Sequence, residues 1–194
     1  MTCLKCNLDT SGNHELGCPC KPTGSFMKII KAPQELDIEG KSFFLAGSIE
    51  MGKAENWQQK VERLLSDYNL PISILNPRRD DWDSSWVQSI DNPRFREQVE
   101  WELNAMEQAD CILMYFDPNT KSPITLLELG LWSHNWDRIM PEGKKLIVCC
   151  PDGFWRKGNV DIVCERYGVD QAEDIKSLVE YGIQFVVNPT LSQL

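Results

Sequence analysis

Two glutamates stand at positions where the local pattern asks for something else. A pair of carboxyl groups can break a bond to a poor leaving group, one attacking while the other supplies a proton. In the segment opened by Asn92-Pro93, the residues Phe95, Val99, Met106 and Ala109 form one helical stripe, and the residue completing its 4, 3, 4, 3 spacing is Glu102. Either the face turns so that Leu103 packs inward and Glu102 reaches solvent, or Glu102 points over the strand ends as a partly desolvated acid. The second glutamate is Glu128, in residues 122–130 (SPITLLELG). Thr125-Leu-Leu-Glu128 makes a capping box, with the glutamate reaching back to the threonine amide. If Ser122-Pro123 supplies the cap instead, Glu128 falls in the second turn, near the positive helix end, where it stays ionised and can act as a nucleophile.

Positioning these groups requires strands and helices in alternation. Apolar runs of strand length occur at 42–46 (SFFLA), 72–75 (ISIL), 111–116 (CILMYF), 146–150 (LIVCC) and 184–187 (QFVV). The first two flank a helix with Trp57, Val61, Leu64, Leu65 and Tyr68 on one face, ending before Pro71. Asn92-Pro93, a cap residue followed by the proline favoured at the first helical position, opens a helix to about 109. Two more helices are predicted at about 125–136 and 172–181. Right-handed crossovers then give an α/β fold, an open doubly wound, flavodoxin/Rossmann-like parallel sheet of five strands. Ligands of such sheets bind beyond the carboxyl ends of the strands. The segments there are 47–50 (GSIE), 76–82 (NPRRDDW), 117–122 (DPNTKS) and 151–155 (PDGFW), rich in polar and aromatic residues.

The composition narrows the partners. At 194 residues the chain suits one domain, and with 42% hydrophobic and 25% charged residues it should fold. Asp and Glu number 29 against 20 Lys and Arg, a formal charge of -9 that repels a phosphate backbone, so duplex nucleic acid is not an expected partner. No apolar stretch reaches the ~20 residues needed to span a bilayer. The N-terminus lacks the basic-then-apolar pattern of a secretory signal, which places the protein in the cytoplasm. Residues 1–26 are rich in Gly, Pro, Asn and Cys and lack periodicity, so they form an appendage to an α/β domain at 27–194. Within the appendage Cys3, Cys6, Cys18 and Cys20 could hold a structural zinc, with His14 able to replace one sulfur; reduced thiols on an arm are the alternative. Cys111, Cys149 and Cys150 lie in strand-like runs, where a thiol serves as a small buried hydrophobe.

Several motifs occur in order along the chain: 43–49 (FFLAGSI), Trp57-Gln58, 75–79 (LNPRR), 95–102 (FREQVEWE), 123–130 (PITLLELG) and 154–159 (FWRKGN). Together they resemble the nucleoside 2-deoxyribosyltransferase-like family over roughly residues 28–185. The resemblance implies cleavage of the N-glycosidic bond between a sugar and a nucleobase, with no metal or other cofactor in the chemistry. Glu128 matches the family's catalytic glutamate, which attacks the anomeric carbon. Glu102 falls where the family has an acidic residue that contacts or protonates the leaving base. By analogy with retaining glycosidases, the two carboxyls should lie close together. The glycosyl-enzyme is resolved by a second base, as in a transferase, or by water, as in a hydrolase of a nucleoside monophosphate or NAD. An idle nucleotide-binding sensor is the third alternative.

The residues around the sugar or phosphate are then Gly47, Ser48 and Ser122, with Asp117 in the same loop as Ser122. Phe44 replaces a tyrosine of many deoxyribosyl-specific members, which leaves ribose open as the sugar or the ring as mere packing. Ser122 resembles the serine of monophosphate hydrolases, whereas Glu50 stands where those enzymes carry an arginine. Arg78 and Arg79 either supply the missing positive charge or pair with Asp80, Asp81 and Asp83 at the surface. Asn159 lies in a region from which relatives contribute ligand or dimer contacts. Trp82, Trp86 and Trp155 are candidate stacking surfaces for a base. Relatives are usually dimers or higher oligomers, so the expected partners are a nucleoside or nucleotide, a free nucleobase and a second copy of the chain.

Overall fold

The computed structural model describes residues 27–49, 55–83, 85–134 and 144–187. Its elements in chain order are β1 (Met27–Lys31), β2 (Lys41–Gly47), α1 (Trp57–Ser66), β3 (Ile72–Asn76), α2 (Pro93–Gln108), β4 (Cys111–Tyr115), α3 (Pro123–His134), β5 (Lys145–Cys149), α4 (Lys157–Tyr167), β6 (Asp170–Ala172) and α5 (Ile175–Val187). The strands form one parallel sheet in the order β1-β3-β2-β4-β5-β6. Helices cover both faces. Trp57, Val61 and Leu65 of α1 join Leu178, Val179 and Ile183 of α5 on one side. Trp101 and Ala105 of α2, Leu129 and Trp132 of α3, and Val160 and Cys164 of α4 pack on the other. The α/β, doubly wound reading therefore holds, with six strands where five were expected.

The extra strands escape a sequence reading because they lie at the sheet edges. β1 buries only Ile30, and β6 is three residues long with Asp170 and Gln171 exposed, so neither carries the apolar run of a central strand. The run at 184–187 is not a strand: it is the last turn of α5, whose buried Ile175, Leu178, Val179, Gly182 and Ile183 follow helical spacing. Gly182 lets this helix approach the sheet, since a Cβ there would come within 2.9 Å of the Phe43 ring and 3.0 Å of Leu113. The helix expected at 172–181 accordingly starts at Ile175 and runs on. α4 was not foreseen; Gly168, left-handed at φ 66°, stops it, and the Val169 amide bonds back to the Cys164 carbonyl.

The Asn92-Pro93 start is as expected, the Asn92 side chain accepting from the Arg94 and Phe95 amides. The stripe of α2 is rotated from the one expected. Gln98, Trp101, Ala105 and Met106 are buried, whereas Val99 is exposed and Phe95 only partly covered. α1 ends at Ser66, leaving Tyr68 outside it and exposed. Cys111, Cys149, Cys150 and Cys164 are free and buried. No helix among the described residues is long and apolar enough to cross a membrane.

Candidate active site

At the carboxyl end of β2 the chain passes from Gly47 to Ser48. Gly47 has φ 157°, and a Cβ there would collide with the Tyr115 carbonyl and lie 2.7 Å from the Trp57 ring. Trp57 Nε1 donates to the Ser48 carbonyl at 3.1 Å, and the Ser48 amide donates to the Tyr115 carbonyl at 3.3 Å. These contacts fix the hydroxyl of Ser48 between the ends of β2 and β4. There it accepts from the Asp117 amide at 3.1 Å, hydrogen-bonds Ser122 Oγ, and lies 2.9 Å from Thr120 Oγ1, itself 2.7 Å from Ser122 Oγ. Ser48, Thr120 and Ser122 are all buried, which makes a knot of three hydroxyls directly ahead of α3. Thr120 was not singled out in the sequence, although it sits between two residues that were. Asp117 uses its carboxylate on the loop itself, accepting from the Asn119 amide at 2.8 Å and the Glu55 amide at 3.4 Å.

Helix α3 begins at Pro123, and the Ser122 carbonyl takes the first intrahelical bond from the Leu126 amide at 3.0 Å. Ser122-Pro123 is thus the cap, and Thr125 lies inside the helix, which removes the Thr125–Glu128 capping box. Glu128 sits in the second turn, 9% exposed. It does not stay ionised through the helix end. Burial, helped by the charge on Glu102, pushes its carboxyl up to about 8, because desolvation of the anion outweighs a helix-end field. Glu102, partly buried on α2, is pushed up to about 7 by burial, against a hydrogen bond from Gln98 Nε2 at 2.8 Å that favours the anion. The charge of one carboxyl reaching the other brings Glu102 and Glu128 into one electrostatic unit. Gln98 is four residues before Glu102 on the same helix, a spacing that could have marked it.

The two arginines part company. Arg79 is buried and makes a two-point pair with Asp81, Nε to Oδ1 at 2.7 Å and Nη2 to Oδ2 at 3.1 Å, with Glu97 at 3.4 Å. Its guanidinium lies 4.9 Å from the centre of the Trp86 ring, with Arg94 also over that ring and Trp82 5.1 Å away. Trp86 thus stacks on the chain's own cations. Asp80 pairs with Lys31, and Asp83 accepts from the Ser85 amide. Arg78 differs, because its buried Nη1 has no hydrogen-bond partner among the described residues.

Phe44 is buried with its ring 6.5 Å from that of Trp101, in the core beneath α2 and α3. Asn159 is exposed in the first turn of α4, and no hydrogen bond ties it to the hydroxyl knot. Trp155 is half exposed, under Arg156, with its Nε1 on the Lys121 carbonyl at 3.0 Å. Cys3, Cys6, His14, Cys18, Cys20 and Glu50 lie outside the described residues. Among those described, no group of three or more His, Cys, Asp or Glu is placed to hold a metal.

Residues 40–154, more than half of the chain, match a family described as nucleoside 2-deoxyribosyltransferase like. No curated protein matches the chain. The matched stretch runs from β2 past β5 and so contains Ser48, Arg78, Arg79, Glu102, Ser122 and Glu128.

Proposed function

The chain belongs to the nucleoside 2-deoxyribosyltransferase-like family, and we propose that it cleaves the N-glycosidic bond of a nucleoside or nucleotide through Glu128 and Glu102. The carrying observation is the pair of buried carboxyls at the carboxyl ends of the strands, both raised toward neutrality, with one charge felt by the other. The pair titrates as a unit, with Glu128 its more basic member, so the reacting form is the tautomer in which the proton has moved to Glu102 and Glu128 is the anion.

A Glu128 carboxylate oxygen bonds to the anomeric carbon as the bond from that carbon to the base nitrogen breaks. The departing electron pair takes the proton from Glu102. A second base or a water then attacks the anomeric carbon, gives a proton to Glu102 and frees Glu128. Gly47, Ser48 and Ser122 are assigned to the sugar or its phosphate, and Phe44 to the floor beneath it. Transfer to a second base is the lead reading, with free nucleobase as acceptor.

A phosphate on the donor, as in the alternative of a nucleoside monophosphate hydrolase, is supported by two features. One is the buried guanidinium nitrogen of Arg78 that has no partner among the described residues; the other is the knot of buried hydroxyls. Both are groups a phosphate would use.

A homo-oligomer fits the outer side of α3, where Ile124 is 59% and Leu127 68% exposed on a helix whose single carboxylate is buried. Light scattering on Leu127→Glu tests this. Asn159 and Asp117 are proposed as ligand or partner contacts. Cys3, Cys6, Cys18 and Cys20 are proposed zinc ligands, to be checked by metal analysis. The cytoplasm is the proposed location.

The test is mass-spectrometric product analysis of the protein and its Glu128→Gln variant with pooled ribo- and deoxynucleosides, their monophosphates and NAD, with and without adenine. Glu128-dependent release of base is expected. A new nucleoside identifies a transferase, and free sugar a hydrolase. No such product from any donor would overturn the glycosyl reading in favour of a binding module.

A further inference from the structure

We propose that Gln98 is a positioning residue that fixes which oxygen of Glu102 carries the transferable proton, namely Oε2. This rests on the reading of Glu102 as the acid.

The side chain of Gln98 is 4% exposed, on the inward face of α2. Its Nε2 lies 2.8 Å from the Pro77 carbonyl oxygen and 2.8 Å from Glu102 Oε1, and its Oε1 lies 3.5 Å from Arg79 Nη1. An amide side chain has two orientations that look alike in shape, and only its partners decide between them. Here both ends are decided. A carbonyl can only accept, so the atom facing Pro77 is the NH2 group; a guanidinium can only donate, so the atom facing Arg79 is the oxygen. The flipped amide would set oxygen against oxygen at Pro77 and N–H against N–H at Arg79. Arg79 is itself held by Asp81 and Glu97, which keeps the far end of the relay in place.

Of the two hydrogens on Nε2, one goes to Pro77 and the other to Glu102 Oε1. A protonated Glu102 could not keep its hydrogen on Oε1, where it would meet the N–H. The proton therefore resides on Oε2, and Oε1 remains the carbonyl oxygen that accepts. Rotating the carboxyl to exchange its oxygens would break the bond to Gln98. The acid is thus set in one orientation before any substrate arrives, which is what general acid catalysis requires of its geometry.

The charged neighbours are few. From α3 the group acting together with Glu102 is Glu128; from the β3–α2 loop Arg79 reaches Gln98 and Glu97; on α2 itself the contact is the neutral Gln98. Gln98 accordingly favours the anion of Glu102 while burial opposes it.

The test uses two variants of the full chain, Gln98→Leu and Gln98→Asn, each checked for folding by its thermal transition. Infrared difference spectroscopy, with Glu102→Gln to assign the band, reads the C=O stretch of protonated Glu102, and carboxyl 13C NMR reads its titration. Loss of the N–H bond moves the stretch to higher frequency and raises the titration midpoint by about one pH unit. In turnover, kcat falls about 10-fold or more with KM unchanged, and the loss shrinks for donors whose base leaves without protonation. An unmoved band and midpoint in both folded variants would overturn the proposal. Because neither readout needs turnover, they are scored apart from the glycosyl reading, which stands or falls on Glu128-dependent product.

Discussion

Glu102 on α2 and Glu128 on α3 are 26 positions apart in the chain, yet the charge on the first raises the proton affinity of the second. Neither takes part in an ion pair among the described residues, so burial dominates both. The cost of holding two carboxyls in a desolvated place is a recurrent mark of catalytic pairs.

The first consequence is catalytic. Glu128→Gln replaces the attacking carboxylate by a neutral, weakly nucleophilic amide and keeps the shape, so turnover falls by about 10^3-fold or more while nucleoside binding persists. Isothermal titration beside product analysis checks both halves. Loss of binding in parallel with turnover would point to a damaged pocket instead.

The second concerns pH and rate. The pair titrates near 7 and 8, and the working form carries one proton, so kcat/KM follows a bell whose limbs belong to the pair. Glu102→Gln leaves a single titrating group without a charged neighbour, so one limb disappears and Glu128 titrates below the upper limb of the wild type. A rate profile that stays flat from pH 5 to 9 would count against the pair.

The third concerns stability. The folded values of about 7 and 8 lie above the ordinary 4.5, so the native state binds more protons than the unfolded chain between those limits. The sign follows: the contribution is full below 4.5 and is lost as pH rises through 7 and 8. Relieving one buried anion at pH 9 is worth on the order of 3 kcal/mol. Glu128→Gln should therefore raise Tm over the wild type by roughly 6–12 °C at pH 9 and by little at pH 5. Equal transitions at both pH values would show that the carboxyl is solvated.

The fourth concerns Gly47. Its missing Cβ gives room to the Tyr115 carbonyl and the Trp57 ring. Gly47→Ala forces β2 away from β4 or displaces a buried tryptophan, a loss of about 1–3 kcal/mol measurable by urea unfolding. A neutral result would mean that the strand ends give way easily.

Much of this protein is written in local pattern. The central strands β2, β3, β4 and β5 are apolar runs because each is covered on both faces, and Asn92-Pro93 marks the start of α2 because cap chemistry needs only the residues beside it. The two glutamates stood out locally as carboxyls on an apolar stripe and near a helix start, but their roles, like those of Ser48 and Ser122, came from the resemblance to a family and not from local pattern. The structure decided what depends on neighbours from elsewhere. The edge strands β1 and β6 pair through backbone on one side and leave little apolar signal. The run at 184–187 became helix because Gly182 lets α5 settle on Phe43 and Leu113. The rotation of α2 was set by what lies beneath it: Trp101 packs near Phe44 and donates to the Gln34 carbonyl at 2.7 Å, turning Gln98 inward and Val99 out. Arg79 found its partners in Asp81 and Glu97, and Arg78 was left with a buried nitrogen that has no partner among the described residues. Above all, spacing can place a glutamate on a helix face, but its proton affinity follows from the solvent removed around it, and here that was removed by elements distant in sequence.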